Sequence, residues 1–195
     1  VVDANKFLTE DIAAGRLRFV VKDIYEVEVK KDFNGLFDII VLKDVIEHIH
    51  DQAKLIGWMK NFLKPGGIVF FGFPPWYMPF GGHQQICKSR ISRLPYIHLL
   101  PKGMYKWVLR NRKENVEEMM EIRDTGISIE RFEKICKKEG YTIFHAGHYL
   151  INPIYEWKFG WKPRKQIGLI KLIPFFRNFL TTCVYYIIQP DNKLK

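Results

Sequence analysis

The chain has 195 residues, 47% of them hydrophobic and 27% charged, which suits one globular domain and excludes a disordered chain. Its three cysteines stand alone in the sequence, which argues against a disulfide framework and a CxxC zinc site. We therefore predict no metal and a cytoplasmic location. The net charge of +10 permits an acidic partner, but the lysines are scattered and no nucleic-acid-binding signature accompanies them, so no nucleic-acid partner is expected.

The first part of the chain predicts a short helix and one strand. The helix covers Asn5–Ala14 and ends at Gly15, a residue type that commonly follows a helix C-terminus. The stretch LRFVVKD, Leu17–Asp23, is rich in β-branched and aromatic residues, which favours a strand. A polar, turn-rich stretch follows it.

The centre of the chain has the pattern strand, helix, strand. FDIIVL, Phe37–Leu42, is apolar on both faces, as expected for a parallel strand covered by helices. Asp51 is a good N-cap for a helix with one apolar face, formed by Leu55, Ile56, Met59, Phe62 and Leu63. KPGG then predicts a turn, and IVFFGF, Ile68–Phe73, a second buried strand. Such a βαβ unit makes the two strands parallel, with ligands beyond their carboxyl ends.

The later part of the chain predicts an insert, one helix and two strands. Pro74–Gly126 mixes turn residues, aromatic residues and helical signals. Ser128 is a good N-cap for the helix IERFEKICKKEG, and YTIFHAGHYLI and TTCVYYIIQ are the strands. The longest apolar stretch, IGLIKLIPFFRNFL, is interrupted by two charged residues and a proline, so a transmembrane helix is not expected.

These parts, in this order, resemble a class I S-adenosylmethionine (SAM)-dependent methyltransferase. The resemblance rests on FDIIVLKDVIEHI, LKPGGIVFFGFP and ERFEKICKKEGY, and it is strongest over Arg18–His83. It implies an α/β fold with a Rossmann-like, mostly parallel sheet, helices on both faces and an antiparallel C-terminal strand. The implied cofactor is SAM, and the implied activity is methyl transfer to an acceptor, which we expect to be a small molecule.

The family's glycine-rich loop, an acidic residue followed by GxGxG, does not occur in this sequence. We therefore expect one incomplete methyltransferase domain, residues 1–195, with a cap-like insert at about 75–126 and without the family's first strand and helix. In the family that strand lies between the second and the fourth, so its absence leaves unpaired strand edges. We expect the 195-residue chain alone to be unstable or to aggregate, and to bind SAM poorly.

The resemblance assigns three residues to the nucleoside of the cofactor. Asp3 matches the acidic residue that binds the ribose hydroxyls, since a carboxylate can accept two hydrogen bonds from a diol. Asp23 and Ile24 match the adenine site, where the Asp accepts from the amino group and a backbone N–H donates to the ring. The alternatives are structural, with Asp3 as a helix N-cap and Asp23 as a turn residue at a strand end.

The polar residues directly after FDIIVL match the family's cofactor-lining motif. Lys43 and Asp44 lie where the family lines the methionine and ribose side, partly through backbone atoms, and Glu47 and His48 complete the motif. The alternative is that Asp44 and Glu47 only favour the start of a nearby helix electrostatically.

His83, in GGHQQ after the second buried strand, is the candidate catalytic residue. An unperturbed pKa near 6.5 suits a base that deprotonates the acceptor, and the alternative is that His83 orders its loop. Gln84 and Gln85 either bind the acceptor or face water. The aromatic residues of the insert either wall an acceptor pocket or form core: Trp76, Tyr77, Phe80, Tyr105 and Trp107.

Two alternatives to a small-molecule enzyme stay open. One is a non-catalytic binding module with the same fold, which only the missing glycine-rich loop supports. The other is a membrane- or RNA-associated methyltransferase. The aromatic and basic stretch YLINPIYEWKFGWKPRK suits contact with a membrane surface, although its two prolines favour a packed loop.

Overall fold

The computed structural model describes residues 7–33 and 35–191, so Asp3 lies outside the described residues. The chain divides into two compact units, Val1–Leu36 and Phe37–Lys195, which are described separately. All strands of the described chain belong to the second unit.

The first unit is built from short helical pieces. Helix α1 spans Thr9–Ala13 and α2 spans Val29–Asp32, with a 3₁₀ turn at Ile24–Glu26 between them. The predicted helix over Asn5–Ala14 is therefore confirmed in its described part. The predicted strand at Leu17–Asp23 is wrong. These residues pair with no strand of the described chain, and a β-strand is stable only when a neighbouring strand takes up its backbone hydrogen bonds.

The second unit is a mixed sheet with helices. Its elements in chain order are β1 (Phe37–Lys43), α3 (Gln52–Trp58), β2 (Leu63–Phe73), α4 (Lys102–Asn111), α5 (Val116–Thr125), α6 (Ile129–Lys138), β3 (Tyr141–Ile151), α7 (Ile154–Phe159), β4 (Arg164–Lys165), α8 (Gly168–Lys171) and β5 (Cys183–Pro190). Among the helices of the described residues, none combines the length and apolar character needed to cross a membrane.

The strand order across the sheet is β1-β2-β5-β3-β4. Strands β1 and β2 are parallel, with Ile40 opposite Val69 and Leu42 opposite Phe71, which confirms the βαβ unit. Strand β5 lies antiparallel between β2 and β3, and β4 is antiparallel to β3. Strands β1, β2 and β3 therefore run in one direction. The antiparallel C-terminal strand is β5, and the sheet is Rossmann-like, as the resemblance implied.

The connection between β1 and β2 contains the predicted helix, but the helix is shorter than predicted. It ends at Trp58, a 3₁₀ turn covers Met59–Phe62, and Leu63, predicted as part of the helix, is the first residue of β2. Asp51 caps α3 by accepting a hydrogen bond from the backbone N–H of Lys54 at 2.9 Å. The predicted apolar face is buried, at Leu55, Ile56, Met59, Phe62 and Leu63. KPGG is not a free turn but the bulged start of β2, across which the pairing register shifts. Gly66 permits this bulge with a φ of 80°, a conformation that favours glycine.

One face of the sheet forms the core with α6. Phe71 and Phe73 of β2 contact Phe132 of α6, with ring centroids 5.0 and 4.9 Å apart, and Tyr186 of β5 contacts the same ring at 4.8 Å. All four side chains are fully buried. Ser128 is the N-cap of α6, as predicted, and its side chain accepts a hydrogen bond from the backbone N–H of Arg131.

One face of β1 is exposed to solvent. The sequence predicts burial on both faces, but Ile39 is 58% exposed and Val41 is 63% exposed. Strand β1 also lies at one edge of the sheet. Within the described residues, β1 therefore packs on one face and pairs along one edge only.

The segment predicted to be a cap-like insert has its own small core. Helices α4 and α5 contribute to a buried cluster of Cys87, Tyr105, Leu109, Met119, Met120 and Ile122. Trp76 packs against this cluster, and its ring lies so close to Gly126 that a Cβ there would be 2.4 Å away. A side chain at position 126 would therefore displace the indole.

Candidate functional site

The carboxyl ends of β1 and β2 open onto a cavity of about 450 Å³. Lys43 and Asp44 line it at the end of β1, and Pro74 lines it just beyond the end of β2. The remaining walls come from the loop after β2 and from α7, including Phe80, His83, Gln85, Tyr155, Lys158 and Phe159. This is the position at which ligands bind in open parallel sheets.

Asp44 turns the chain out of β1. Its backbone N–H donates to the carbonyl of Gly72 at 2.7 Å, and its φ is 53°, in the left-handed region. Its carboxylate forms an ion pair with Lys43. A short 3₁₀ turn follows at Ile46–His48. In this turn the side chain of Glu47 is buried, whereas His48 is exposed.

Glu47 is a buried carboxyl group, with only 4% of its surface exposed. Neither of its oxygens finds a hydrogen-bond partner on another residue of the described chain. Burial raises the pKa of Glu47 to about 7. The nearby charge of Asp44 adds to this effect, whereas its own backbone N–H and Lys43 oppose it. A buried carboxyl without a partner is unusual in a folded protein and marks a candidate functional group.

His83 lies on the loop after β2 and has a φ of 52°. The two preceding glycines permit close backbone approach, since a Cβ on Gly81 would lie 2.1 Å from the carbonyl oxygen of Trp76. His83 is half-buried. Burial lowers the pKa of its imidazole, His48 lowers it further, and Asp44 opposes the shift. The ring is therefore neutral at pH 7 and can accept a proton.

Glu47, His48 and His83 meet at one point of the structure. Each offers a ligand atom, and these atoms lie within 4.8 Å of one another. The two imidazole rings meet edge to face, with centroids 5.2 Å apart. One carboxylate and two imidazoles are a donor set that divalent transition metals use, so these three residues could hold a cation.

His98 and Gln84 hold the loop that carries His83, a role that the sequence analysis missed. The Nε2–H of His98 donates to the carbonyl of Trp76 at 2.8 Å, and the Gln84 amide donates to His98 Nδ1 at 3.1 Å. The same amide donates to the carbonyl of Pro79 at 2.7 Å. Gln84 is fully buried and does not face water, whereas Gln85 lines the cavity.

The structure places the predicted cofactor residues in different parts of the chain. Asp3 lies outside the described residues. Asp23 caps the turn Ile24–Glu26 by accepting from the backbone N–H of Tyr25 at 2.9 Å, in the first unit. Lys43, Asp44 and His48 follow β1, as predicted. The roles of all these residues in cofactor binding stay predictions.

The aromatic wall of the cavity differs from the predicted one. Of the candidate aromatic residues in the insert, Phe80 lines the cavity. Tyr105 belongs to the insert core, and Trp107 is 67% exposed. Tyr155 and Phe159 of α7 supply the other aromatic surfaces. No sequence pattern indicated α7 as a wall, because it follows β3 far along the chain.

Comparison with known proteins gives a consistent class of relatives. A family model described as a methyltransferase domain matches residues 2–146. The ubiquinone biosynthesis O-methyltransferase of Pasteurella multocida is 28% identical over 76 residues, which cover 36% of this chain and 27% of that protein. An uncharacterized methyltransferase of Mycobacterium sp. (strain KMS) is 33% identical over 51 residues, which cover 26% of this chain and 20% of that protein.

Among solved structures, a SAM-dependent methyltransferase of Thermotoga maritima, described as a possible histamine N-methyltransferase, is 15% identical with a TM-score of 0.49. The alignment covers 92% of this chain and 67% of that one. The chain matches about a fifth to a quarter of the length of these curated relatives.

Proposed function

The chain belongs to the class I SAM-dependent methyltransferase family, and from this premise we propose that it transfers a methyl group from SAM to a small-molecule acceptor. The observation that supports this function best is the cavity at the carboxyl ends of the parallel pair β1 and β2, with Asp44 and His83 in its walls. A cavity of about 450 Å³ is in the size range of small-molecule sites.

The described residues fit one side of a SAM site. Asp44 lines the cavity with a carboxylate that is half exposed, which suits hydroxyl or ammonium donors, and Lys43 holds it by an ion pair. The glycine-rich loop of the family does not occur in the sequence, so these residues would form one wall of the site. When bound, the cofactor supplies a methyl group that is already activated on a positively charged sulfur.

The contribution of the chain is then alignment and removal of one proton. The cavity walls hold the acceptor beside the cofactor, which turns a bimolecular step into an intramolecular one. We propose that His83 takes the proton from the acceptor's attacking group. Its neutral, half-buried imidazole is suited to this role.

Replacement of His83 in the full-length protein tests this role. We expect His83→Ala to lower turnover by about 100-fold or more, the usual effect of losing a general base, with the affinity for SAM unchanged. His50→Ala is the matched control, because His50 is exposed and bonds to Glu121 at 2.6 Å. Radiolabelled methyl transfer and calorimetric SAM binding are the measurements. Unchanged turnover in His83→Ala would remove His83 from the mechanism.

A second candidate function is methyl transfer at a membrane surface, with an amphipathic acceptor. Residues 157–176 hold 9 of the 24 exposed large hydrophobic side chains of the described chain, including Trp157 at 83% and Leu172 at 77% exposed. The same segment carries five lysines and arginines and no acidic residue. Exposed aromatic and aliphatic side chains beside cations suit an anionic lipid surface.

This segment also borders the cavity. Lys158 and Phe159 belong both to the exposed segment and to the cavity wall. An acceptor anchored in a lipid layer could therefore enter the cavity without leaving the layer. This arrangement favours a lipid-anchored acceptor over a nucleic acid, because the exposed segment is apolar as well as basic.

Vesicle sedimentation tests the membrane candidate. We expect binding to vesicles that contain phosphatidylglycerol and weak binding to pure phosphatidylcholine. Lys162→Gln with Lys165→Gln should weaken binding by about 2 kcal/mol, roughly 30-fold. Trp157→Ala with Trp161→Ala should also weaken it, whereas Trp107→Ala, an exposed tryptophan on α4, should not. Equal behaviour of all variants, or no vesicle binding by the wild type, would refute this candidate.

A further inference from the structure

We propose that Glu47, His48 and His83 form a binding site for one divalent transition-metal ion. The three side chains lie on two loops, one after β1 and one after β2. Because β1 and β2 are parallel neighbours, the sheet brings the two loops together at the same edge. The sequence predicted no metal, since no Cys/His spacing indicates a ligand set that is assembled from two separate loops.

The geometry of the three side chains suits a small ion. Their ligand atoms lie within 4.8 Å of one another. Two ligands of a zinc ion are at most about 4.4 Å apart, so small side-chain rotations would suffice to bring all three atoms onto one ion. The set combines one carboxylate with the imidazoles of His48 and His83. Imidazole donors favour zinc, iron and similar ions over magnesium or calcium, which prefer oxygen ligands alone.

The buried state of Glu47 is an independent reason to expect a cation. Only 4% of the surface of Glu47 is exposed, and neither of its carboxyl oxygens has a hydrogen-bond partner on another described residue. An ionised carboxylate is stable in such a place only if a hydrogen-bond donor, an opposite charge or a metal compensates for the lost water. An ion held by the neighbouring imidazoles would supply that compensation.

Other acidic residues of the same unit show how a carboxylate is normally satisfied. Glu130, which is also partly buried, accepts hydrogen bonds from the backbone N–H of Phe175 at 2.8 Å, from Arg177 at 2.8 Å and from Asn178 at 2.6 Å. Glu133 accepts from the hydroxyl of Tyr186 at 2.7 Å. Glu47 is more deeply buried than either and has none of these partners, which singles it out as a ligand.

The ion would lie at the wall of the cavity, because His83 also lines it. The lone pair of a bound imidazole is used for coordination, so His83 would be a ligand while the ion is present and a base only when it is absent. An acceptor hydroxyl that reached the ion would lose its proton more readily. Ion binding does not require methyl transfer, so this proposal and the proposed function can fail separately.

Calorimetric titration of the full-length protein with Zn²⁺, after treatment with a chelator, tests the proposal. We expect one ion per chain at this site and a higher melting temperature in its presence. Since loss of even an outer-shell partner lowers metal affinity 10–100-fold, Glu47→Gln should lower Zn²⁺ affinity by at least about tenfold, and His83→Ala likewise.

The variants separate ligation from folding. Glu47→Gln keeps the shape of the side chain and removes only the charge, so it should fold, as circular dichroism would show, and should lose the thermal shift caused by Zn²⁺. His50→Ala is the matched control, because this exposed histidine lies beside Glu121 and should leave Zn²⁺ affinity unchanged. No Zn²⁺ binding by the wild type, or equal affinity in Glu47→Gln and wild type, would overturn the proposal.

Discussion

At the residue scale, the surroundings of each histidine in the folded chain decide its role, and its neighbours in the sequence record only some of those surroundings. The position of His83 beside the cavity could be predicted because His83 follows a buried strand. The partners of His98 could not, because Trp76 and Gln84 lie 22 and 14 residues away. The unpartnered state of Glu47 was equally hidden, since burial depends on the packing of elements that are distant along the chain.

His98 gives the folded protein a defined sensitivity to acid. Burial lowers the pKa of its imidazole to about 4, from an ordinary value of 6.5. Between these pH values the unfolded chain binds a proton that the folded chain does not, so the free energy of unfolding falls as the pH falls. From pH 7 to pH 5 this loss is about 2 kcal/mol.

We expect His98→Gln to remove that share of the pH dependence, although it should lower stability at pH 7 through the lost loop contacts. Urea unfolding at pH 7 and pH 5 measures the slope. The exposed His50→Gln serves as the control with an unchanged slope. His148 is also buried with a pKa of about 4, so some pH dependence should remain. Parallel profiles for His98→Gln and wild type would contradict the assignment.

At the element scale, a strand predicted from its local sequence pattern formed where the fold also supplies neighbouring strands to pair with it. The strand predicted at Ile68–Phe73 forms because β1 and β5 pair with it on both sides. Leu17–Asp23 also contains β-branched and aromatic residues, although three of its seven residues are charged, and it pairs with no described strand. The same β-branched and aromatic signal therefore gave a wrong prediction there. The N-caps Asp51 and Ser128 were predicted correctly because a cap depends on its neighbours along the helix.

The contact between α6 and the sheet should dominate the stability of the second unit. Phe132 is fully buried between Phe71, Phe73 and Tyr186, so Phe132→Ala should lower the free energy of unfolding by about 3–5 kcal/mol. Phe144, which is 64% exposed on β3, is the matched control, and Phe144→Ala should change it by less than about 0.5 kcal/mol. Chemical unfolding measures both. Equal effects would show that α6 does not hold the core.

At the scale of the whole molecule, the sequence could predict which edge of the sheet carries the candidate site, but not which elements form the other walls of the cavity. The βαβ order puts Lys43, Asp44 and His83 at the carboxyl ends of the strands. The wall from α7, with Tyr155 and Lys158, depends on how β3 and β5 join the sheet, and no local pattern records that.

Strand β1 makes the sheet prone to self-association at one edge. It lies at the edge of the sheet with Ile39 and Val41 exposed, and an apolar edge strand is a template for pairing with another chain. We therefore expect the 195-residue chain to form aggregates. Because the family's glycine-rich loop does not occur in the sequence, we also expect it to bind SAM more weakly than micromolar. Light scattering after size-exclusion chromatography and calorimetric titration are the measurements.

A charge on this edge should reduce the self-association. We expect Val41→Lys to raise the monomeric fraction, because a lysine on an edge strand opposes pairing with a second copy. Phe144→Lys is the matched control. Phe144 is exposed to a similar extent, but it is the bulged residue of β3 between Ile143 and His145, where the pairing with β5 shifts register. A bulge does not offer a regular edge for pairing with a second copy, so the monomeric fraction should stay as in the wild type. A monomeric wild-type chain would show that the open edge of β1 has no such effect, and micromolar affinity for SAM would contradict the expected weak binding.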